Sequence, residues 1–301
     1  DLYWVLMNEK ALEYLRNYDG EQVNLMEVCG THTHEIFKLG IRKILSNKIK
    51  LISGPGCPVC VTPANFIEEA RYLAEREVVI CTFGDLVRVP GLSGSLADSR
   101  ADGATIKVCY APLDAVIYAK ENPDKEVVFL SVGFETTTPT DVIAVQKAIE
   151  MGVSNFSLLT ANKTMPEAYE TMKDSMDAYI YPGHVHAIIG TSICEELAKK
   201  GISGVCAGFT DNELILAIAT AVKKVEEKRK SGSKEGFFVN CYPRVVTPEG
   251  KPKAVALVEE YMEPSDEVWR GIGLLKNSGM KIRDKYSAYD ARVKYWIPEI
   301  S

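Results

Sequence analysis

The 301-residue sequence lacks several features that mark broad classes of protein. It has no basic stripe interleaved with aromatic residues, and its formal net charge is −6, so a nucleic-acid partner is not expected. No apolar run approaches the ~20 residues that a membrane span requires. The first residues also lack the charged-then-apolar layout of a signal peptide. These absences predict a cytoplasmic protein that binds neither nucleic acid nor membrane.

Histidine and cysteine are sparse, and their positions are informative. All four histidines lie in two glycine-bearing segments, Cys-Gly-Thr-His-Thr-His at 29–34 and Tyr-Pro-Gly-His-Val-His at 181–186. Five of the eight cysteines lie in apolar segments, where a buried thiol behaves as a small hydrophobe: Cys81, Cys109, Cys194, Cys206 and Cys241. The other three, Cys29, Cys57 and Cys60, are therefore the candidates for thiolate chemistry.

Short apolar strands alternate with amphipathic helices over most of the chain. The strands are predicted at 23–28, 49–53, 78–82, 106–110, 127–132, 156–160, 178–181 and 204–207. This alternation is typical of the α/β class, with parallel sheets covered by helices on both faces. We expect two similar parallel-sheet βα domains that face a central cleft, plus a small third unit built from both termini.

Two polar stretches set the predicted domain boundaries. Residues 121–125 are polar and contain a proline, which suggests a joint, and residues 231–236 read as a linker. The predicted parts are an N-terminal helix within 1–20 that packs with the C-terminal unit, α/β domains at 21–122 and 123–232, and the C-terminal unit at 233–301.

Cys29 and His32 are predicted at one strand-to-helix turn. Ligands of open α/β sheets bind beyond the carboxyl ends of the strands. Cys29 ends a predicted strand and His32 follows near the helix start, so both side chains could reach one metal ion. Thiolate and imidazole are ligands for iron, zinc or copper, and the residue types leave that choice open. The alternative for His32 is a capping or core role.

Cys57 and Cys60 have the spacing of a reversible dithiol. Prolines at 55, 58 and 63 stiffen the loop that carries them. Thr62 is the predicted N-cap of the following helix and Pro63 its first residue. Both sulfurs would then lie ahead of that helix, where its dipole lowers a thiol pKa less effectively. The alternative is a buried dithiol pair without redox function.

The loops at 133–138 and 182–186 are candidate ligand loops. Glu135 and Thr136–Thr138 precede a helix predicted at 142–151, where hydroxyls and free amides could hold an anion. Simple capping is the alternative. His184 is a candidate hydrogen-bond donor or second ligand, and His186 is better suited to a structural role.

Taken together, these motifs resemble the HypD family of hydrogenase maturation factors. The resemblance covers about residues 22–296. It is carried by Cys-Gly-Thr-His at 29–32, Gly-Pro-Gly-Cys-Pro-Val-Cys at 54–60, Gly-Phe-Glu-Thr-Thr at 133–137, Pro-Gly-His-Val at 182–185 and Ala-Gly-Phe at 207–209. It implies two similar α/β domains with a third domain, and a scaffold that builds the iron centre, Fe(CN)2CO, of NiFe hydrogenases.

The resemblance also implies roles for individual residues and partners. The family's iron-binding cysteine falls on Cys29, with His32 beside it, and its redox dithiol falls on Cys57 and Cys60. Because cyanide ligands accept hydrogen bonds, the candidate ligand-binding residues are Gly133, Glu135, Thr136, Thr137 and His184. The implied partners are a HypC-type small chaperone, a HypE-type cyanide donor and, indirectly, the hydrogenase large subunit.

One family feature is missing from this sequence. HypD proteins carry a C-terminal cysteine-rich region with a 4Fe-4S cluster, whereas only Cys241 follows residue 206 here.

Two other functions remain open. The first is a general thiol–disulfide oxidoreductase that acts without iron. The second is a zinc enzyme, which is weaker because the two histidine pairs lie in separate predicted halves.

Overall fold

The computed structural model describes residues 2–300. Its strands are β1 (Val23–Glu27), β2 (Ile49–Ser53), β3 (Val79–Thr82), β4 (Ile106–Val108), β5 (Val127–Ser131), β6 (Phe156–Thr160), β7 (Asn162–Lys163), β8 (Ala178–Pro182), β9 (Gly204–Ala207), β10 (Phe238–Asn240), β11 (Met262–Trp269) and β12 (Gly273–Ile282). Its α-helices are α1 (Leu2–Arg16), α2 (Gly30–Lys38), α3 (Ile41–Ile44), α4 (Ala64–Ala74), α5 (Leu96–Ala101), α6 (Pro112–Glu121), α7 (Thr138–Glu150), α8 (Met165–Thr171), α9 (Gly183–Ile189), α10 (Ser192–Lys199), α11 (Asp211–Ser231), α12 (Pro252–Tyr261) and α13 (Ala291–Lys294). Short 3₁₀ helices cover Gly84–Leu86, Lys173–Ser175 and Asp284–Tyr289.

The strands form two parallel sheets and one antiparallel sheet. The first parallel sheet has the order β10-β9-β8-β1-β2 and the second the order β4-β3-β5-β6. The antiparallel sheet has the order β11-β12-β7. The predicted α/β class with parallel sheets of βα units is therefore confirmed. Within residues 2–300, no helix combines the length and the apolar character that crossing a membrane would take.

The chain divides into two compact units, and each unit is built from two segments. Unit 1 contains Asp1–Cys57 and Ala168–Pro252, and unit 2 contains Pro58–Glu167 and Lys253–Ser301. The predicted domains at 21–122 and 123–232 differ from this division. The physical reason is strand pairing: Leu25 of β1 lies opposite Ala178 of β8, while β3 and β4 join β5 and β6.

The N-terminal helix α1 belongs to unit 1. Leu15 and the following Tyr18 are buried in the core that α11 covers, and the Tyr14 hydroxyl donates a hydrogen bond to Glu226 over 2.9 Å. The predicted packing of this helix with residues 233–301 therefore differs from the structure. That C-terminal region is itself divided, since β10 extends the sheet of unit 1 and residues 253–301 belong to unit 2.

The core of unit 1 lies between α11 and the strands of its sheet. Helix α11 buries one apolar stripe, whose members are Leu214, Ala217, Ile218, Ala221, Val222 and Val225. Each fully buried Leu, Ile or Val side chain contributes about 1.5–3 kcal/mol relative to exposure. The helix begins with a capping box in which Thr210 accepts from the Glu213 N–H and Glu213 accepts from the Thr210 N–H.

Unit 2 buries a polar network beneath the end of β5. The Ser131 hydroxyl lies 2.7 Å from Asp141 Oδ2 and 2.6 Å from Asn162 Oδ1, and Asn162 Nδ2 lies 2.9 Å from Asp141 Oδ2. One hydroxyl proton cannot serve two acceptors, so a proton on Asp141 completes the network. Burial raises the pKa of Asp141 to about 7, which is consistent with that proton.

Candidate metal and redox site

Cys29 is the N-cap residue of α2. Strand β1 ends at Glu27, and Cys29 has extended backbone angles (φ −147°, ψ 125°) directly before the helix. Burial raises the pKa of the Cys29 thiol, and hydrogen bonds from the N–H groups of His32 and Thr31 and from the Thr31 hydroxyl partly offset this effect. The thiol form is therefore favoured, while the nearby N–H and O–H groups stabilise part of the charge of a thiolate.

The loop before Cys57 packs directly against Cys29. The Gly30 N–H donates to the Gly56 carbonyl over 2.9 Å, and a Cβ on Gly56 would overlap the backbone of Cys29. A Cβ on Gly30 would lie 3.7 Å from Cys57 Cβ, which is ordinary contact. Since β1 and β2 are adjacent parallel strands, their carboxyl-end loops meet. The loops that carry Cys29 and Cys57 are therefore in contact.

Cys57 and Cys60 lie ahead of α4. Cys57 is half-buried and Cys60 is exposed in the turn over residues 58–61. The predicted N-cap is wrong by one residue, because Pro63 is the N-cap and α4 begins at Ala64. The Thr62 hydroxyl instead donates to the Pro58 carbonyl over 2.8 Å and closes the turn. The boundary between the two units falls directly after Cys57.

His32 is fully buried on α2 in a defined tautomer. Its Nε2 lies 2.9 Å from the Gly208 carbonyl oxygen. Because a carbonyl only accepts, Nε2 carries the hydrogen and Nδ1 carries the lone pair. Nδ1 is buried and has no hydrogen-bond partner among residues 2–300. Burial lowers the pKa of His32 to about 4, so the ring is neutral at pH 7 with one nitrogen available.

The other histidines of unit 1 differ sharply in environment. His184 is exposed in the first turn of α9, and burial of part of its ring lowers its pKa. His186 is fully buried, with Nδ1 donating to the Gly190 carbonyl over 2.9 Å and Nε2 lying 3.2 Å from the Tyr169 hydroxyl. Both nitrogens of His186 are therefore engaged, which fits the structural role expected from the sequence.

The loop at 133–138 belongs to unit 2. Helix α7 begins at Thr138, four residues before the predicted start at 142, and Thr137 is its N-cap. The N–H groups of Thr137 and Thr138 both donate to the Phe134 carbonyl, over 2.9 and 3.1 Å. A Cβ on Gly133 would contact Thr137 too closely, so glycine is required there. These two amides are used within the loop, and Thr136 is exposed.

Glu135 fixes the start of α8. Its Oε1 accepts from the Met165 N–H over 2.9 Å, while Oε2 is buried without a hydrogen-bond partner in the described chain. Burial raises the pKa of Glu135 to about 7, and the hydrogen bond from Met165 opposes that rise. At neutral pH a substantial fraction of Glu135 is therefore protonated and able to donate a hydrogen bond.

Sequence comparison decides the family. A family model named HypD, described as "Hydrogenase formation hypA family", matches residues 7–301. The chain belongs to the HypD family. Family membership supports a role in hydrogenase maturation.

Curated relatives of the HypD family come from bacteria and an archaeon. The Hydrogenase maturation factor HypD of Rhodobacter capsulatus is 40% identical over 283 residues, which cover 91% of this chain and 73% of the relative. The protein of the same name from Escherichia coli is 38% identical over 300 residues, covering 95% and 79%. A putative hydrogenase expression/formation protein of Methanocaldococcus jannaschii is 38% identical over 287 residues, covering 93% and 78%.

The two units divide the predicted site residues of this HypD-family chain. Unit 1 holds Cys29, His32, Cys57 and His184, and unit 2 holds Cys60, Gly133, Glu135, Thr136 and Thr137. Among residues 2–300, no three His, Cys, Asp or Glu side chains are arranged to hold a metal ion. The donors among these residues therefore do not fit a 4Fe-4S cluster.

Phe209 has a place in the site that its sequence motif did not predict. Its ring stacks on His32 at 4.5 Å and on His184 at 3.8 Å between ring centroids. The sequence signal was only an aromatic residue after a glycine in a strand-end loop. His32, His184 and Phe209 lie in separate segments of the chain, so a local sequence pattern does not predict that their rings stack.

Proposed function

We propose that this chain is a scaffold on which the Fe(CN)2CO centre of NiFe hydrogenase is assembled, with iron held by the Cys29 thiolate. The placement of the Cys29 sulfur at the start of α2 carries this proposal. There the N–H groups of Thr31 and His32 stabilise negative charge on sulfur, as a helix N-terminus does. In this proposal iron is the substrate that is assembled and passed on, and this chain supplies the protein ligands that bind it.

His32, whose backbone N–H reaches the Cys29 sulfur, is the proposed second donor. Its Nδ1 is the lone-pair nitrogen of a buried ring, and a neutral imidazole with a thiolate suits iron. The proposed centre takes its other ligands from two cyanides, carbon monoxide and a thiolate of a HypC-type chaperone. A HypE-type protein would donate cyanide, and the hydrogenase large subunit would receive the centre indirectly. These partners rest on the family resemblance.

Hydrogen-bond donors for cyanide are a further part of the proposal. The nitrogen of bound cyanide accepts hydrogen bonds, so exposed N–H and O–H groups recognise it. His184 offers such a donor in unit 1. In unit 2, exposed Thr136 is a donor of the same kind, on a loop whose shape depends on Gly133 and Thr137 and in which the Glu135 carboxyl is buried.

The Cys57–Cys60 pair is the proposed redox element. Two thiols that close to a disulfide release two electrons and two protons, which attachment of the iron ligands could draw upon. The turn that Thr62 closes begins at Pro58 and contains Cys60, and Cys57 directly precedes it beside Gly30. We place this chemistry in the cytoplasm, where thiols stay reduced.

Iron analysis of cysteine variants tests the central assignment. We expect Cys29→Ala, purified anaerobically with the HypC-type partner, to lose nearly all bound iron because the proposed thiolate ligand is gone. Cys241→Ala is the matched control, since Cys241 is a half-buried thiol of unit 1 outside the site. Equal iron content in Cys29→Ala and wild type would overturn the assignment.

The exposure of Cys60 favours one alternative, a general thiol–disulfide oxidoreductase. An exposed sulfur in a Cys-Pro-Val-Cys turn can attack a substrate disulfide without any metal. This alternative predicts turnover of small disulfides by the iron-free chain, unchanged in Cys29→Ala and abolished in Cys57→Ser. The scaffold proposal predicts no such turnover above the rate of free thiols.

A further inference from the structure

Three strand-end segments of unit 1 converge on one aromatic stack. His32 follows β1, His184 follows β8 and Phe209 follows β9, and these strands are neighbours in the order β9-β8-β1. The Phe209 ring is inclined by 25° to His32 and by 24° to His184, so it stacks on both imidazoles.

The phenylalanine segment also controls which nitrogen of His32 carries hydrogen. The Gly208 carbonyl directly before Phe209 accepts from Nε2 of His32 over 2.9 Å. Stacking fixes the plane of the His32 ring, and the carbonyl fixes its tautomer. The result is a lone pair at Nδ1, a buried atom without a hydrogen-bond partner among residues 2–300.

The position of Phe209 is itself held by an ion pair. Glu213 Oε2 accepts from the Phe209 N–H over 3.0 Å and from the Thr210 N–H over 3.1 Å. Arg244 donates to Glu213 Oε1 over 2.9 and 2.7 Å. A Cβ on Gly208 would lie 2.8 Å from Tyr242, whose ring meets Phe209 edge-on at 6.2 Å. The loop is therefore clamped from two sides.

We propose that Phe209 is a positioning residue that stacks on His32 and His184, and so holds the His32 ring in the orientation that leaves the lone pair on Nδ1. This inference rests on the proposed function, because it gives Nδ1 a purpose as a donor toward iron. Phe209 itself touches only the two imidazoles and Tyr242 among the rings described, and acts through them.

The test compares Phe209→Leu with the conservative variant Phe209→Tyr. Nitrogen-15 NMR at a fixed neutral pH reads the His32 tautomer in the iron-free protein. We expect only the Nε2–H form in wild type and Phe209→Tyr, and a mixture of tautomers in Phe209→Leu. Iron affinity with the HypC-type partner should fall roughly 10-fold in Phe209→Leu and stay within about twofold in Phe209→Tyr.

A matched control separates positioning from general packing. Phe237→Leu makes the same change at a half-buried phenylalanine that packs on the core of unit 1 outside the stack. It should leave the His32 tautomer and the iron affinity at wild-type values. An unchanged tautomer and unchanged iron affinity in Phe209→Leu would overturn the inference.

The two proposals fail in different ways. If Cys29→Ala keeps its iron, the proposed function falls, whereas the tautomer measured in the iron-free protein still decides what Phe209 does. If Phe209→Leu folds poorly, Glu213→Gln takes its place in the comparison with Phe209→Tyr. Glu213→Gln weakens the hydrogen bonds to the Phe209 loop and the ion pair with Arg244, and it keeps the phenylalanine side chain. A wild-type His32 tautomer in Glu213→Gln would show that the hydrogen bonds from Glu213 to the Phe209 loop do not control that tautomer.

Discussion

At the scale of single residues, the candidate site depends on how the surroundings shift the pKa of one thiol, that of Cys29. Burial disfavours the Cys29 thiolate, and three hydrogen bonds from Thr31 and His32 favour it. The net effect is a raised pKa, so the sulfur is a thiol at neutral pH. We expect such a thiol to react slowly with alkylating reagents at neutral pH and, under the proposed function, to lose its proton when iron binds.

The Thr31 hydroxyl should matter for this sulfur. In Thr31→Val the Cys29 thiolate loses one hydrogen bond, and we expect the pH profile of Cys29 alkylation to move upward by about 0.5–1 unit. Iron affinity should fall several-fold in parallel. Thr33→Val is the matched control, since the Thr33 hydroxyl donates to the Cys29 carbonyl rather than to the sulfur. Superimposable alkylation profiles of Thr31→Val and wild type would contradict this account.

Residue types alone were enough to select the candidate residues of unit 1. Cys29, His32 and Cys57 were singled out because sulfur and imidazole are sparse and lie in glycine-bearing turns. Within one Pro-Gly-His-Val-His segment, the sequence favoured a structural role for His186 over His184, and the structure has His184 exposed and His186 buried. What separates them is the helical turn of α9, which points the second ring toward the Gly190 carbonyl and Tyr169.

At the scale of elements, the turn after β1 and the loop after β2 form one interlocked pair. Gly56 has no room for a side chain because Cys29 occupies the space, whereas Gly30 has ordinary clearance. The two glycines look equivalent in the sequence. Only their contacts show that Gly56 packs against the Cys29 turn, whereas Gly30 begins a helix.

Alanine substitutions at these glycines should therefore differ. We expect Gly56→Ala to lower the free energy of unfolding by roughly 1–3 kcal/mol, because the new Cβ forces the Cys29 backbone aside, and to weaken iron binding. Gly30→Ala should stay within about 0.5 kcal/mol of wild type. Denaturant unfolding followed by iron titration measures both. Equal loss in the two variants would show that the interlock has no special role.

The buried network of β5 and α7 should make stability depend on pH. The pKa of Asp141 is about 7 in the folded protein and ~3.9 when unfolded, so the folded state binds more protons between those values. Its contribution to stability is therefore greatest below about pH 4 and is lost as the pH rises to about 7. Glu135 acts in the same direction.

Asp141→Asn should remove most of that pH dependence. We expect the variant to lose stability less steeply than wild type from about pH 4 to about pH 7, and to be more stable by roughly 1–3 kcal/mol above that range. The exposed Asp124→Asn in the same unit should follow the wild-type curve. If the free energies of unfolding of Asp141→Asn and wild type depended on pH in the same way, Asp141 would be ionised in the folded state over the whole range.

At the scale of the whole molecule, local pattern predicted the strands but not their partners. The predicted strands at 23–28, 49–53 and 178–181 all exist, yet nothing in their sequences shows that β1 pairs with both β2 and β8. Pairing is decided by contacts far apart in the chain, whereas alternation of polar and apolar residues is a local signal. A sequential division into halves was the natural prediction, and the structure has two interleaved units instead.

The β11–β12 hairpin shows the same limit for the C-terminal region. Its strand β11 contains Pro264, Asp266 and Glu267, which are uncommon in strands. They are accommodated because Glu267 pairs with buried Lys163 over 3.6 Å, and β11 lies at a sheet edge where Pro264 is tolerated. Because strand β11 contains these polar residues, a search of the sequence for apolar runs does not predict it.

The most direct test of the central claim is infrared spectroscopy of the chain purified anaerobically with its HypC-type partner. The account predicts cyanide and carbonyl stretching bands in wild type and in Cys241→Ala, and their absence in Cys29→Ala. Bands of wild-type intensity in Cys29→Ala would show that another group holds the iron and would contradict the account.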